Sequence, residues 1–161
     1  MKKYFVYKFD VIGKIMIVEE AGFITDIDFE RSIEIPKDSC SQETPLIKQT
    51  HSQLVEYFAG QRKYFELPLA PKGTDFQTSC WNAFLNIPYG ETRSYQQIAV
   101  NVECPKGCRA VGMAANRNPI VIVIPCHRII GTSGALVGFG GGLDAKKYLL
   151  EIERKYHDIQ E

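Results

Sequence analysis

The 161 residues predict an α+β protein, with a small antiparallel sheet and one helix over 1–73 and a mainly helical domain over 74–161. Three observations carry that expectation. The first thirty residues alternate apolar and polar side chains with a period of two, which suits half-buried strands. Pro68, Pro71 and Gly73 mark a linker. Beyond Gly73 the apolar period becomes helical.

Each element has a local reason. Residues 4–9 and 12–18 read as two strands, with Gly13 and Lys14 near the turn between them. Glu19-Glu20-Ala21-Gly22 is a polar hairpin connection, and 23–29 is a third strand with Phe23, Thr25, Ile27 and Phe29 on one face. Residues 31–44 are polar, contain Pro36 and read as loop. Thr44 is placed as an N-cap, with Pro45 at the first helical position. Leu46, Ile47, Thr50, Leu54, Tyr57 and Phe58 then fall at helical spacing until Gly60. Phe65, Leu67 and Leu69 form a short extended segment. Thr74 or Asp75 caps a helix with Phe76, Cys80, Ala83, Phe84 and Ile87 on one face and Trp81 flanking it. Ser94 caps a short helix over 95–100, and Pro105 opens another from Lys106 to about Ala115. Helix, short turn, helix is the geometry of a helix-turn-helix. A last helix begins near Leu143, with Ala145, Tyr148, Leu149 and Ile152 inward and Glu153 beside that face.

Charge does not announce a partner, because Lys+Arg and Asp+Glu balance at 19 each. The balance is uneven locally. Between Arg93 and Arg128, five basic residues face Glu103 alone, a candidate anion-binding surface or a solvated helix face. Cys40, Cys80, Cys104, Cys108 and Cys126 are odd in number, and no secretory segment precedes them. Free thiols in a reducing, cytoplasmic compartment are expected. No apolar run approaches transmembrane length, so no membrane partner is expected. Cys104 and Cys108 lack two further ligands at zinc spacing, so no metal is expected.

The chemistry concentrates at Ile120-Val121-Ile122-Val123-Ile124-Pro125-Cys126-His127-Arg128. The β-branched run reads as a buried strand that Pro125 breaks. A thiol fixed beside an imidazole and a guanidinium has the surroundings that lower a cysteine pKa and make a nucleophile. Taken alone, the same dipeptide also suits a buried structural cysteine beside a solvent-facing His-Arg pair. The 106–115 helix carries Arg109 among small residues, Gly107, Ala110, Gly112 and Ala114. Such a helix approaches another surface closely, either a packing partner or a nucleic-acid groove.

In order, Phe76-Gln77-x3-Trp81, Ile87-Pro88-Tyr89-Gly90-Glu91-Thr92, Ser94-Tyr95-Gln96-Gln97-Ile98-Ala99, Arg109-Ala110-Val111-Gly112, Asn118-Pro119, Ile124-Pro125-Cys126-His127-Arg128 and Gly141-Gly142-Leu143 resemble the O6-alkylguanine-DNA alkyltransferases. The resemblance is strongest over about 75–155. It implies a ribonuclease-H-like domain over 1–73 and a winged-helix-like helix-turn-helix domain over 74–161. It implies stoichiometric transfer of an alkyl group from O6-alkylguanine, and more weakly O4-alkylthymine, to the protein's own cysteine. The resemblance makes Cys126 the acceptor, His127 its base and Glu153 the carboxylate that orients the histidine. Tyr95 is similar to the residue that donates to guanine N3, and Asn118 to the one that ties the helix-turn-helix to the cysteine loop. Arg109 resembles the finger that fills the stack after the nucleotide flips out. Ala110, Gly112, Tyr95, Arg128 and Ser133 are the implied DNA contacts, and Met113, Ile129, Phe139 and Gly140 the implied substrate pocket. Minor-groove docking is implied. No cofactor is implied, and a monomer acting on double-stranded DNA is expected. Phe139 replaces the more usual tyrosine of the lid loop, and Gly140 offers only a backbone N–H to O6. Glu103-Cys104 and Gly107-Cys108 replace smaller residues beside the turn. The alternatives are a DNA-binding sensor of alkylated bases that transfers nothing, and a thiol hydrolase acting on a small molecule.

Overall fold

A computed structural model describes residues 1–134, 139 and 141–158. The first half is a four-stranded sheet ordered β3-β2-β1-β4, built from β1 (Lys2–Phe9), β2 (Gly13–Glu20), β3 (Phe23–Phe29) and β4 (Ser39–Ser41), with α1 (Pro45–Phe58) packed on it. β1 and β3 are antiparallel to β2. The β2–β3 connection is tight because Ala21 and Gly22 both adopt positive φ, 54° and 85°, which matches the strand twist. β4 is a difference from the expected loop. It pairs in parallel with β1, Lys3 opposite Cys40, so the sheet is mixed. Three residues of Ser-Cys-Ser carry no readable period, and only the distant β1 edge makes them a strand.

The second half contains α2 (Asp75–Leu85), β5 (Arg93–Ser94), α3 (Tyr95–Asn101), α4 (Cys108–Asn116), β6 (Ile129–Ile130) and α5 (Leu143–Tyr156). Three helix starts follow the expected capping chemistry. Thr44 accepts from the Ile47 N–H, while Thr74 with Gln77 and Ser94 with Gln97 form capping boxes. α4 begins two residues later than expected. Glu103 at φ 60° and a bond from the Gly107 N–H to the Cys104 carbonyl fold residues 104–107 into a turn, and Gly107 supplies no side-chain cap.

The halves share one apolar core. Ile15, Ile17, Ile27 and Leu54 from the sheet and α1 join Trp81, Phe84, Ile98, Val111, Ile120, Ile124 and Leu149. Trp81 is not at the flank of α2 but inside, with its indole N–H donating to the Ala114 carbonyl at 2.9 Å. Each such large apolar side chain contributes about 1.5–3 kcal/mol by leaving water. β3 provides the backbone link to the second half. The Ile27 N–H donates to Pro119 O (2.8 Å), and the Val121 N–H donates to Ile27 O (3.2 Å).

Candidate active site

The expected strand over Ile120–Ile124 is not one. Only isolated bridges occur, Ile27 with Ile120 and Val121 with Ile124. Ile122 sits at φ 73°, and the Val123 N–H closes on the Val121 carbonyl at 2.8 Å, a γ-turn with its central residue in the left-handed region. Pro125, at φ −82° and ψ 62°, centres a second turn of the inverse type, closed by the Cys126 N–H on the Ile124 carbonyl at 2.8 Å. The apolar run is therefore folded on itself, and its burial comes from the core around it. A β-branched residue at positive φ is strained, and such strain persists only where the surroundings impose it. Here Asn118 is one restraint. Its amide donates to Ile124 O (2.8 Å) and to Cys126 Sγ (3.1 Å), while its Oδ1 accepts from the Ile120 N–H (3.0 Å).

Cys126, His127 and Arg128 form a single 3-10 turn, and all three are buried. Burial pushes the thiol up to about 11, against the lowering expected from its neighbours. The Asn118 bond and the positive charge of Lys146 pull it partway back. Lys146, on α5, is fully buried. Burial lowers its pKa and the Cys126 thiolate raises it.

His127 does not turn to the thiol with both nitrogens. Its Nε2 lies 2.6 Å from Glu153 Oε2, so in the neutral ring Nε2 carries the proton and donates it. Nδ1 is then the basic nitrogen. It is buried and has no hydrogen-bond partner among the described residues. Burial holds the ring below the usual histidine value, with Glu153 opposing that shift.

Glu153 is 1% exposed. It accepts from Tyr57 Oη (2.6 Å), Arg128 Nε (2.8 Å) and Nη2 (3.1 Å), and the Gly90 N–H (3.1 Å) as well as from His127. Burial alone would raise this carboxyl. The charge and hydrogen bond of His127 and the two bonds of Arg128 outweigh it and hold the group well below the carboxylate range. Gly90 reaches Glu153 from φ 80°, and a Cβ there would collide with the His157 ring. Arg128 also donates from Nη1 to Ile87 O (2.7 Å) and is 7% exposed, so its guanidinium faces inward and not outward as a DNA contact requires.

Two of the hollows near this centre bear on its chemistry. An open cleft of about 540 Å³ is lined by Tyr95, Cys108, Arg109, Gly112, Met113, Asn116, Gly131 and Thr132. Arg109, Ala110 and Met113 are exposed along α4. Tyr95, the first residue of α3, is half-buried. Burial and the charge of Cys126 raise its hydroxyl pKa. A second cavity of about 280 Å³ is lined by Cys126, Asn118, Phe139, Val121 and Phe29, with Asp26 and Asp28. Phe139 packs on Phe29 with ring centroids 5.5 Å apart. Ser133 is exposed on the Gly131–Gly134 turn. Ile129 is fully buried in the core and paired with Arg93, so its side chain lines neither hollow, unlike the expectation. Gly140 lies outside the described residues. Tyr57 and Lys146 were missed. Tyr57 reads only as an inward helical position. Lys146 does carry a signal, since it shares a face with Leu149 and Glu153 at helical spacing.

Comparison with known proteins shows two family matches. The family described as "6-O-methylguanine DNA methyltransferase, ribonuclease-like domain" matches residues 2–71, and its "DNA binding domain" counterpart matches residues 75–155. A methylated-DNA–protein-cysteine methyltransferase of Methanosarcina acetivorans is 47% identical over 145 residues, covering 88% of this chain and 92% of its own. The constitutive enzyme of that name from Bacillus subtilis is 46% identical, covering 89% and 90%. Among solved structures, Mycobacterium tuberculosis OGT in complex with DNA superposes with a TM-score of 0.89 at 39% identity, covering 96% of this chain and 94% of its own.

Proposed function

The chain belongs to the 6-O-methylguanine DNA methyltransferase family of DNA-repair proteins, and from that membership we propose that it repairs O6-alkylguanine in duplex DNA by moving the alkyl group irreversibly onto its own Cys126. O4-alkylthymine is the weaker substrate. The observation that carries the proposal is the buried thiol held by Asn118 beside a histidine whose Nδ1 is left basic by the Glu153 bond.

The geometry supports the following steps. Exposed α4 enters the DNA, with Ala110 and Gly112 allowing close approach. Arg109 takes the place of a nucleotide that swings out into the cleft beside Tyr95 and Met113. His127 Nδ1 accepts the Cys126 proton, directly or through a water, and ionised Glu153 stabilises the imidazolium. The Lys146 charge and the Asn118 amide stabilise the thiolate. Sulfur attacks the alkyl carbon, the carbon–O6 bond breaks, and its electron pair passes to the guanine. The Tyr95 hydroxyl donates to N3 as that charge develops. Arg128, in place of contacting DNA, holds Glu153. A thioether is not hydrolysed under mild conditions, so each molecule acts once.

Duplex DNA carrying a radiolabelled O6-methylguanine tests the reading. One equivalent of label is expected on the Cys126 peptide. Cys126→Ala is expected to take up no label and still retard the duplex in a gel. Binding with no label on the unaltered protein would indicate a sensor, and catalytic turnover without retained label a hydrolase.

A further inference from the structure

The cavity that Cys126 lines is larger than a methyl group needs, since a methyl fills about the 30 Å³ of a water molecule and the cavity holds about 280 Å³. The group transferred to sulfur is the part of the substrate that must lie against Sγ. A longer alkyl group therefore extends from Sγ into this chamber. Its apolar lining includes Val121, Phe29 and Phe139, and its polar lining includes two acidic residues of the other half of the molecule, Asp26 and Asp28.

Their position is fixed by the sheet. They flank Ile27 on β3, opposite Val18 and Met16 of β2, so a period of two puts both on the sheet face opposite to Ile27. Ile27 between them exchanges backbone hydrogen bonds with Pro119 and Val121 on the path to the cysteine turn. The same docking that joins the halves thus sets two carboxylates in the thiol's chamber. Asp26 accepts from Thr25 Oγ1 (2.8 Å), and neither aspartate has an ion pair among the described residues. Arg117 also lines the chamber but is exposed, where solvent and salt screen it. Burial and the charge of Asp26 raise the Asp28 carboxyl to about 7, so Asp28 is fully ionised only above neutrality.

We propose that Asp26 and Asp28 form an acidic wall that selects the alkyl group, admitting neutral or cationic groups to Cys126 and disfavouring anionic ones such as carboxymethyl. The inference rests on the transfer reading above. A like charge in a partly dehydrated chamber is repelled far more strongly than in water.

The test compares two isosteric lesions in duplex DNA at pH 8.5, O6-carbamoylmethylguanine and O6-carboxymethylguanine, by single-turnover rates and mass spectrometry of the Cys126 peptide. The readout is the neutral-to-anionic rate ratio within each protein, which cancels any general loss of activity. Asp26→Asn/Asp28→Asn is expected to lower that ratio about tenfold, the effect of removing two nearby like charges from a low-dielectric site. Each single substitution is expected to lower it by part of that amount, which keeps the test open if the double variant does not fold. Arg117→Gln is expected to raise it. A ratio unchanged by the aspartate substitutions overturns the acidic wall. Absence of both groups from the Cys126 peptide of the unaltered protein overturns the transfer reading instead.

Discussion

Burial pushes the Cys126 thiol to about 11, and the Asn118 amide and the Lys146 charge work against that burial. His127 then needs to accept a proton only when a substrate lies in place. Lys146 was not expected at the site. Replacing Lys146 by Gln removes a positive charge that lowers the Cys126 thiol, so the thiol should ionise at higher pH. The predicted result is a transfer rate at pH 7.5 reduced about tenfold, one pKa unit's worth of thiolate. The rate should also keep climbing to a higher pH than in the unaltered protein. A pH–rate profile measured in single turnover checks it. A rate lowered equally at every pH would mean that Lys146 acts only through packing.

Helix caps were legible because capping is local. Thr44, Thr74 and Ser94 each satisfy an N–H three residues on, and the sequence holds both partners. The Ser94 cap matters most for the site, since it fixes the start of α3 and so the backbone from which Tyr95 projects. Ser94→Ala should cost about 1 kcal/mol of stability, read from urea unfolding, and should slow transfer beyond that loss if it also lets Tyr95 drift. The failures of sequence reading were non-local. β4 exists only because Lys2–Tyr4 lies beside it. The Ile120–Ile124 run has strand composition, yet Asn118 and two successive turns consume its backbone groups. Buriedness was read correctly there and conformation was not, because apolar composition reports the first alone. The cysteine, its histidine and the distant glutamate were visible through family spacing, whereas Tyr57 is tied to Glu153 across 96 positions with no local sign.

Glu153 also holds the molecule together. Its five hydrogen bonds draw on α1, the loop at Gly90 and the cysteine turn, while the carboxylate itself belongs to α5. Its pKa is depressed on folding, so its contribution is complete above the ordinary value of 4.5 and fades as pH falls below it. Glu153→Gln should destabilise the protein by about 3 kcal/mol at pH 7, because Arg128 is left buried without its partner. Urea midpoints of the two proteins should converge as pH drops below about 4. A constant gap across pH would remove the charge from the explanation. The seclusion of the thiol has a further meaning for a reagent that is spent on first use. Cys40, Cys104 and Cys108 are partly exposed, while Cys126 is both buried and un-ionised at rest. Iodoacetamide should modify those three well before Cys126, as peptide mapping over time would show, and early loss of Cys126 would refute it. Stray electrophiles then meet the outer thiols first, and the acceptor sulfur stays covered until the right target arrives.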